Sequence, residues 1–169
     1  FLGYEIGFQH TRHDQIVSYL TYLSSVSDKA DLINYGKTHE GRNLVILTIS
    51  SKNNLNRLGE IQKEHLKNTI PGVTVTSNED LTIIIYSGYG VHGNEPSSSE
   101  AALLTAYTLV SSKSKKIEKF RQNSVVFIDP TINPDGRDRH TQWANQNKSI
   151  NLVADEYDSE HNEAWPKGR

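Results

Sequence analysis

Cysteine is absent from the 169 residues of the chain. This absence excludes a disulfide scaffold, a thiol nucleophile and a zinc ion bound by cysteine. Any bound metal ion must therefore be held by histidine and carboxylate side chains. The seven histidines of the sequence make such a site possible.

An excess of positive charge and a long apolar run are also absent. The formal net charge is -2, so we expect no nucleic-acid partner and no anionic-membrane surface. No run of residues approaches the roughly 18 apolar residues that a membrane span needs. The length is that of one domain, and residues 1–169 are interpreted as belonging to a single one.

The first third of the chain predicts a helix followed by a hairpin. Thr11 is the expected N-cap of a helix that ends in the polar residues 24–28. The predicted apolar face of this helix consists of Ile16, Leu20, Leu23 and Val26. Residues 32–36 and 44–49 are typical of strands, and the Gly and Asn between them favour a turn.

A weaker helical pattern over residues 53–68 follows the hairpin, with an expected break at Gly59. The polar residues from 137 to 169 show no clear periodicity. A long stretch without structure is unusual inside a compact domain. We interpret this stretch as an active-site loop region at the end of an incomplete fold.

The middle of the chain predicts a strand, a helix and a second strand. Residues 81–86 and 125–128 are near-continuous apolar runs, which are typical of strands covered on both faces. Between them lies a predicted helix over residues 97–110, with Pro96 in its first turn. The apolar stripe expected to face the core consists of Ala101, Leu104, Tyr107 and Leu109.

This order of elements predicts an α/β fold with a mixed, largely parallel sheet flanked by helices. A crossover connection makes the two strands parallel, so the loops after them, residues 87–95 and 129–136, meet at one edge of the sheet. Open α/β sheets bind their ligands at that edge.

The first of these loops contains His92 and Glu95, three residues apart and just before the predicted helix. An imidazole and a carboxylate are the ligands that a catalytic zinc ion uses, with its fourth position left to water. Taken alone the pair is a weak signal. His92 could equally be a loop histidine bonded to backbone, and Glu95 could simply complement the helix dipole.

Three segments in a fixed order make the pattern specific. Residues 35–42 read Tyr-Gly-Lys-Thr-His-Glu-Gly-Arg, residues 92–95 read His-Gly-Asn-Glu, and residues 133–136 read Asn-Pro-Asp-Gly. The last of these alone would be an ordinary turn. Together, with a crossover helix between the second and the third, they closely resemble the M14 zinc carboxypeptidases. The resemblance runs from the opening helix to Gly136 and makes the chain the N-terminal part of such a peptidase domain.

The resemblance implies that His92 and Glu95 are ligands of one zinc ion. It also implies that Asp135 accepts the other ring N–H of His92 and so fixes the orientation of that ring. In the family a zinc-bound water attacks the last peptide bond of the substrate. A Glu acts as general base, an Arg stabilises the oxyanion, and an Asn-Arg pair binds the terminal carboxylate.

The sequence departs from the family pattern at the oxyanion arginine. Lys148 occupies the expected distance after residues 133–136, so Arg137 and Arg139 become the candidates for that role. Either of them could instead be a solvated loop charge. The Asn-Arg pair, the third zinc ligand, the substrate-covering Tyr and the general-base Glu are expected beyond Arg169.

Three histidines are possible substitutes for the third ligand. His10 and His13 lie three residues apart, but they fit a helix-capping segment better, and His161 could reach the site only if the tail folds over it. With two ligands zinc would be held weakly, so the isolated chain is expected to be inactive.

The expected function of the full-length protein is hydrolysis of a C-terminal peptide bond, or of a related amide with altered specificity. Peptides and peptidoglycan-type substrates are both admissible, and the resemblance favours a secreted or periplasmic protein. The alternative is a non-catalytic module that binds peptides or proteins in the sheet-edge cleft. Substrate side-chain preference and oligomeric state cannot be inferred from the sequence.

Overall fold

The structure is a computed structural model, and it describes residues 1–73, 81–151 and 153–163. Within these residues helices and strands follow one another in an α/β arrangement. In chain order they are α1 (His13–Ser25), β1 (Ala30–Lys37), β2 (Asn43–Ile49), α2 (Lys52–Asn56), α3 (Leu58–Lys67), β3 (Ile83–Gly88), α4 (Pro96–Ser111), α5 (Lys115–Asn123), β4 (Ser124–Asp129) and α6 (Pro134–Asn147).

The described strands form one mixed sheet in the order β1-β2-β4-β3. The predicted hairpin is confirmed, because β1 and β2 pair antiparallel from Ala30 with Ile49 to Lys37 with Asn43. The predicted crossover is also confirmed, since β3 and β4 pair in parallel. β2 pairs with β4 antiparallel, so the parallel pairing in the described residues is that of β3 with β4.

The main core lies between one face of the sheet and the helices α1 and α4. Its fully or almost fully buried side chains are Ile16, Leu20, Leu23, Leu47, Ile49, Ala102, Leu103, Ala106, Val110, Val126 and Ile128. Alternate residues of β4 point to opposite faces, and Val125 and Phe127 therefore line the other face together with α3. The helices thus flank both faces of the sheet, as predicted.

The face of α4 that packs on the core differs from the predicted one. Leu104 and Tyr107 are half exposed, whereas Ala102 and Ala106 are completely buried. The small alanine side chains let the helix axis approach the sheet closely, which the larger residues would prevent. The prediction placed the largest apolar side chains of α4 in the core. In the structure, the small side chains that fit against the sheet are buried there.

The expectation that both central strands are covered on both faces is wrong for β3. This strand lies at the edge of the described sheet, and Ile83, Ile84 and Tyr86 are 58%, 42% and 59% exposed. β4 has neighbours on both sides and is buried almost throughout.

The helices also differ from the predictions in three respects. α1 begins after Arg12 rather than Thr11, because the hydroxyl and N–H of Thr11 both bond to Glu100. The interruption between α2 and α3 falls at Arg57, and Gly59 lies inside α3. The helix α6 occupies residues for which no helix was predicted.

Candidate metal centre

The loops after β3 and β4 lie side by side and are joined through their backbones. The N–H of Tyr89 donates to the carbonyl of Asp129 at 2.9 Å, and the carbonyl of Tyr89 accepts from Ile132 at 2.8 Å. The carbonyl of Gly90 accepts from Asn133 at 3.0 Å. The two loops that carry the sequence motifs therefore form one unit at the carboxyl ends of the parallel strands.

Closer to the candidate ligands, Gly93 packs directly on the first turn of α6. A Cβ atom at position 93 would overlap the carbonyl group of Gly136 and the backbone nitrogen of Arg137. The backbone φ at Gly93 is not in the left-handed region, so space is what requires glycine here. The glycine between His92 and Glu95 is thus explained by contact with the second motif.

His92 and Glu95 lie on the turn that leads into α4. The N–H of Glu95 donates to the carbonyl of His92 at 3.2 Å, and Glu95 occupies the N-cap position before Pro96. The side chain of His92 is half-buried and that of Glu95 is exposed. Across residues 1–73, 81–151 and 153–163, neither side chain makes a hydrogen bond.

The donor chemistry of these two residues fits zinc, which accepts imidazole nitrogen and carboxylate oxygen. They account for two ligands of a catalytic site. No group of three or more His, Cys, Asp or Glu side chains suited to a metal ion occurs among the described residues.

The carboxylate of Asp135 has other partners than the ring of His92. It accepts from the hydroxyl of Thr38 at 2.7 Å, from the N–H of Glu40 at 3.2 Å and from the guanidinium of Arg42 at 2.8 Å. Partial burial opposes ionisation, but the bonds from Thr38 and Arg42 outweigh it and hold the pKa of Asp135 below its usual value. The contact expected with His92 is not among the hydrogen bonds of the described residues.

Arg42 connects the hairpin turn to α6. Its guanidinium also donates to Asp138 at 2.7 Å and pairs with Glu40. Residues 35–42 and 133–136 therefore belong to one network of charge-assisted bonds. This network is a physical reason for the two segments to occur together, and it could not be read from either alone.

Arg137 was a candidate for oxyanion stabilisation, and the structure gives it a different environment. Its side chain is 1% exposed, and its guanidinium donates to the carbonyls of Thr11 at 3.0 Å and Pro96 at 2.7 Å. It also forms an ion pair with Glu100 at 2.6 Å. A group enclosed in this way is screened from solvent among the described residues, so its contacts here give no support to an oxyanion role for Arg137.

Arg139, the second candidate, lies two residues after Arg137 in α6, and its side chain is 29% exposed. Its guanidinium pairs with Glu163, which also lies 3.3 Å from Nδ1 of His140. Lys148 is the C-cap residue of α6.

The histidines considered as a third ligand are engaged elsewhere. The ring of His10 packs edge-on against His140, and burial, followed by the nearby His140, lowers the pKa of His10 to about 4. Nε2 of His13 lies 2.7 Å from the carbonyl of Asn43, and that of His161 lies 2.8 Å from the carbonyl of Val153.

Two buried polar residues of this region, Thr11 and Glu100, were not recognised as part of it from the sequence. Glu100 lies one turn into α4 on the face that packs on the core. A carboxylate on a buried helix face requires a charged partner. The need for a charged partner could have indicated the role of Glu100. It can be used only when the buried face of α4 is known.

Comparison with known proteins gives a consistent family. The family model described as zinc carboxypeptidase, of the M14 peptidases, matches residues 16–169. No curated protein matches the chain. The candidate ligands and the two loops all lie within the matched residues.

Solved structures similar to the chain are carboxypeptidases and a related protein. Thrombin activatable fibrinolysis inhibitor is 17% identical to the chain, with a TM-score of 0.56. The match covers 77% of this chain and 27% of that protein. A metallo-carboxypeptidase from Burkholderia cenocepacia is 15% identical with a TM-score of 0.55, covering 76% and 28%. Carboxypeptidase A from Helicoverpa armigera is 20% identical with a TM-score of 0.55, covering 75% and 25%. The chain thus spans about a quarter of the length of these proteins, and the likeness concerns the fold.

None of the helices in the described residues is long and apolar enough to cross a membrane.

Proposed function

Because this chain belongs to the zinc carboxypeptidase family, we propose that the full-length protein hydrolyses the C-terminal peptide bond of a peptide or peptidoglycan-type substrate. If the specificity differs from that of a carboxypeptidase, we propose a related amide as the substrate. His92 and Glu95 would hold a single zinc ion, with a third ligand and the general base supplied by other parts of the full-length polypeptide. Zinc bound in this way activates water at neutral pH and polarises the carbonyl that is attacked.

The observation that carries this proposal is the packing of Gly93 on Gly136. It places the loop with the two candidate ligands against the first turn of α6, at the carboxyl ends of the parallel strands. The two loops in contact lie at the edge of the sheet where α/β proteins bind ligands. The zinc-type donors are the side chains of His92 and Glu95, which make no hydrogen bond within the described residues.

The chain's own residues have distinct proposed tasks. Arg139 remains the candidate for oxyanion stabilisation, since its side chain is partly exposed. Release from Glu163 would be required before it could act. Asp135 supports the site by fixing the hairpin turn against α6, through Thr38 and Arg42.

We expect the isolated chain to bind zinc weakly and to be inactive. Two protein ligands bind a metal ion less tightly than three. A secreted or periplasmic location of the full-length protein is also proposed, from the family alone.

A zinc titration of the full-length protein tests the site. His92→Ala should weaken zinc binding at least tenfold, whereas His39→Ala should leave it within twofold. His39 is a suitable control because its side chain is exposed on the hairpin turn. Competition with a chromogenic chelator gives both affinities, and equal binding by wild type and His92→Ala would remove this histidine from the site.

A non-catalytic binding module on the same scaffold is the alternative function. It would use the sheet-edge cleft to hold a peptide without cleaving it. Incubation of the zinc-loaded full-length protein with C-terminal peptide substrates separates the two, because the module would bind them and release no free amino acid.

A further inference from the structure

We propose that Arg137 is a positioning residue that fixes the loop with the candidate zinc ligands, and that zinc affinity depends on it. This inference rests on the proposed function and adds a residue to it. Arg137 lies in neither candidate ligand position and is 1% exposed, so it would act only through the backbone that it holds.

The first step of the argument concerns Pro96, the residue that follows Glu95. Nη1 of Arg137 donates to the carbonyl of Pro96 at 2.7 Å. This carbonyl lies in the first turn of α4, so its position sets the direction in which the helix leaves the loop. The guanidinium therefore holds the backbone immediately after a candidate ligand.

The second step concerns the other side of the same loop. The peptide that joins Gly136 to Arg137 is the surface on which Gly93 packs. Arg137 thus contacts the loop twice, with its backbone at Gly93 and with its side chain at Pro96. In the sequence, Glu95 lies between these two contact points, and His92 directly precedes Gly93.

The third step is the anchoring of the guanidinium itself. Nη2 pairs with Glu100 of α4 at 2.6 Å, and Nε donates to the carbonyl of Thr11 at 3.0 Å. Glu100 in turn accepts from the N–H and hydroxyl of Thr11, each at 2.8 Å. Three separate parts of the chain are tied at one buried point.

Stability alone does not account for this arrangement. A buried ion pair gains little over well-packed apolar residues, because taking both charges out of water offsets their attraction. What the guanidinium provides is direction, since its planar fork fixes several acceptors at once. Groups that orient metal ligands from behind commonly change metal affinity by roughly 10- to 100-fold.

A matched control is Arg121 of α5, which contacts the opposite end of α4. Arg121 is 4% exposed and donates to the carbonyls of Leu109 at 2.6 Å and Ser112 at 3.0 Å. It is a buried arginine that holds the last turn of α4, away from the candidate ligands. Lysine in place of either arginine keeps the charge and loses the fork.

The experiment compares Arg137→Lys with Arg121→Lys in the full-length protein. Zinc affinity is measured by chelator competition, and amide hydrogen exchange is followed over both ends of α4 without zinc. We expect Arg137→Lys to weaken zinc binding about tenfold and to speed exchange at residues 100–102, where the hydrogen bonds within α4 begin. Arg121→Lys should stay within twofold of wild type for zinc and speed exchange near residue 112.

Each result decides the inference. Equal zinc affinities of the two variants overturn it, even where His92→Ala shows that the zinc site exists. If wild type and His92→Ala bind zinc equally, the proposed site fails first. Should Arg137→Lys fail to fold, Glu100→Gln replaces it, and wild-type zinc affinity of that variant overturns the inference.

Discussion

The loop after β3 and the loop after β4 lie in contact, but their side chains are used differently. In the second loop Asn133 caps α6 by accepting from the N–H of Gly136 at 2.9 Å, and Asp135 accepts three bonds. In the first loop, His92 and Glu95 make no side-chain hydrogen bond within the described residues. The side chains of the second loop therefore hold its shape, whereas His92 and Glu95 of the first loop are the ligands in the proposed function.

This contrast makes a general point about reading motifs. Both segments resemble the same family pattern, yet only one of them carries candidate ligands. Changes at the contact between the loops and at Asp135 should affect folding first, and changes at the candidate ligands should affect zinc binding with little effect on folding. Three substitutions test that division, in order of their expected effect on stability.

Gly93→Ala should have the largest effect on stability. The added methyl group would overlap the backbone of Gly136 and Arg137, which cannot move aside as a flexible side chain can. We expect a loss of about 3 kcal/mol in the free energy of unfolding, at the upper end of overpacking effects. Urea denaturation of the full-length protein without zinc measures it.

Gly59→Ala is the control for this substitution. A Cβ atom at Gly59 meets nothing within 4 Å, and the residue lies in α3. Alanine there should stabilise the protein by up to about 1 kcal/mol, because alanine favours helices. A Gly93→Ala protein as stable as Gly59→Ala would show that the two loops are not held in this contact.

Asp135→Asn should have an intermediate effect. It removes the charge that receives bonds from Thr38 and Arg42, and we expect a loss of about 2 kcal/mol. Asp31→Asn, at an exposed position of β1, should change stability by less than about 0.5 kcal/mol. Similar losses in the two variants would contradict the structural role of Asp135.

The pH dependence of stability gives a second measurement on the same residue. The pKa of Asp135 is lowered in the folded protein, so its contribution is present above the unfolded pKa and is lost as the pH falls through the folded value. Wild type should therefore lose its advantage over Asp135→Asn in acid. A difference that stays constant from pH 7 down to the folded pKa would rule out this source of stability.

The parts of this comparison that the sequence predicted are those with strong patterns. The hairpin and the parallel pair of β3 with β4 follow from apolar runs and turn residues, and the position of both loops at one edge follows from the crossover. These rules depend on residue type and chain order and not on the contacts of individual side chains.

The helix α6 shows why the rest was missed. Its residues are mostly polar, so the apolar period that predicts helices is weak there. Taken alone, the Asn-Pro-Asp-Gly segment fits an ordinary turn, yet Asn133 serves as N-cap and Pro134 as the first helical residue. The same residue types fit both structures, and tertiary packing decides between them.

Arg137 and Asp135 show the limit for side chains. From the sequence both are charged residues near a motif, and their partners Glu100 and Arg42 lie 37 and 93 residues away in the chain. No local pattern indicates pairings at such separations. The roles expected for these two residues therefore rest on the family resemblance and not on predicted contacts.

Glu95→Ala should have the smallest effect on stability and the largest on function. Its side chain is exposed at the start of α4, where a negative charge contributes about 0.5 kcal/mol through the helix dipole. Glu118→Ala is the matched control, since Glu118 is an exposed carboxylate in the first turn of α5. Both variants should unfold at nearly the same urea concentration as wild type when zinc is removed.

The effect of added zinc on stability should distinguish Glu95 from Glu118. Wild type and Glu118→Ala should gain stability when zinc is added, because an ion that binds the folded protein favours it. Glu95→Ala should lose most of this gain, together with hydrolysis of C-terminal peptide substrates. If Glu95→Ala instead responds to zinc as wild type does, the first loop has no ligand at this position, and the division of labour between the two loops is wrong.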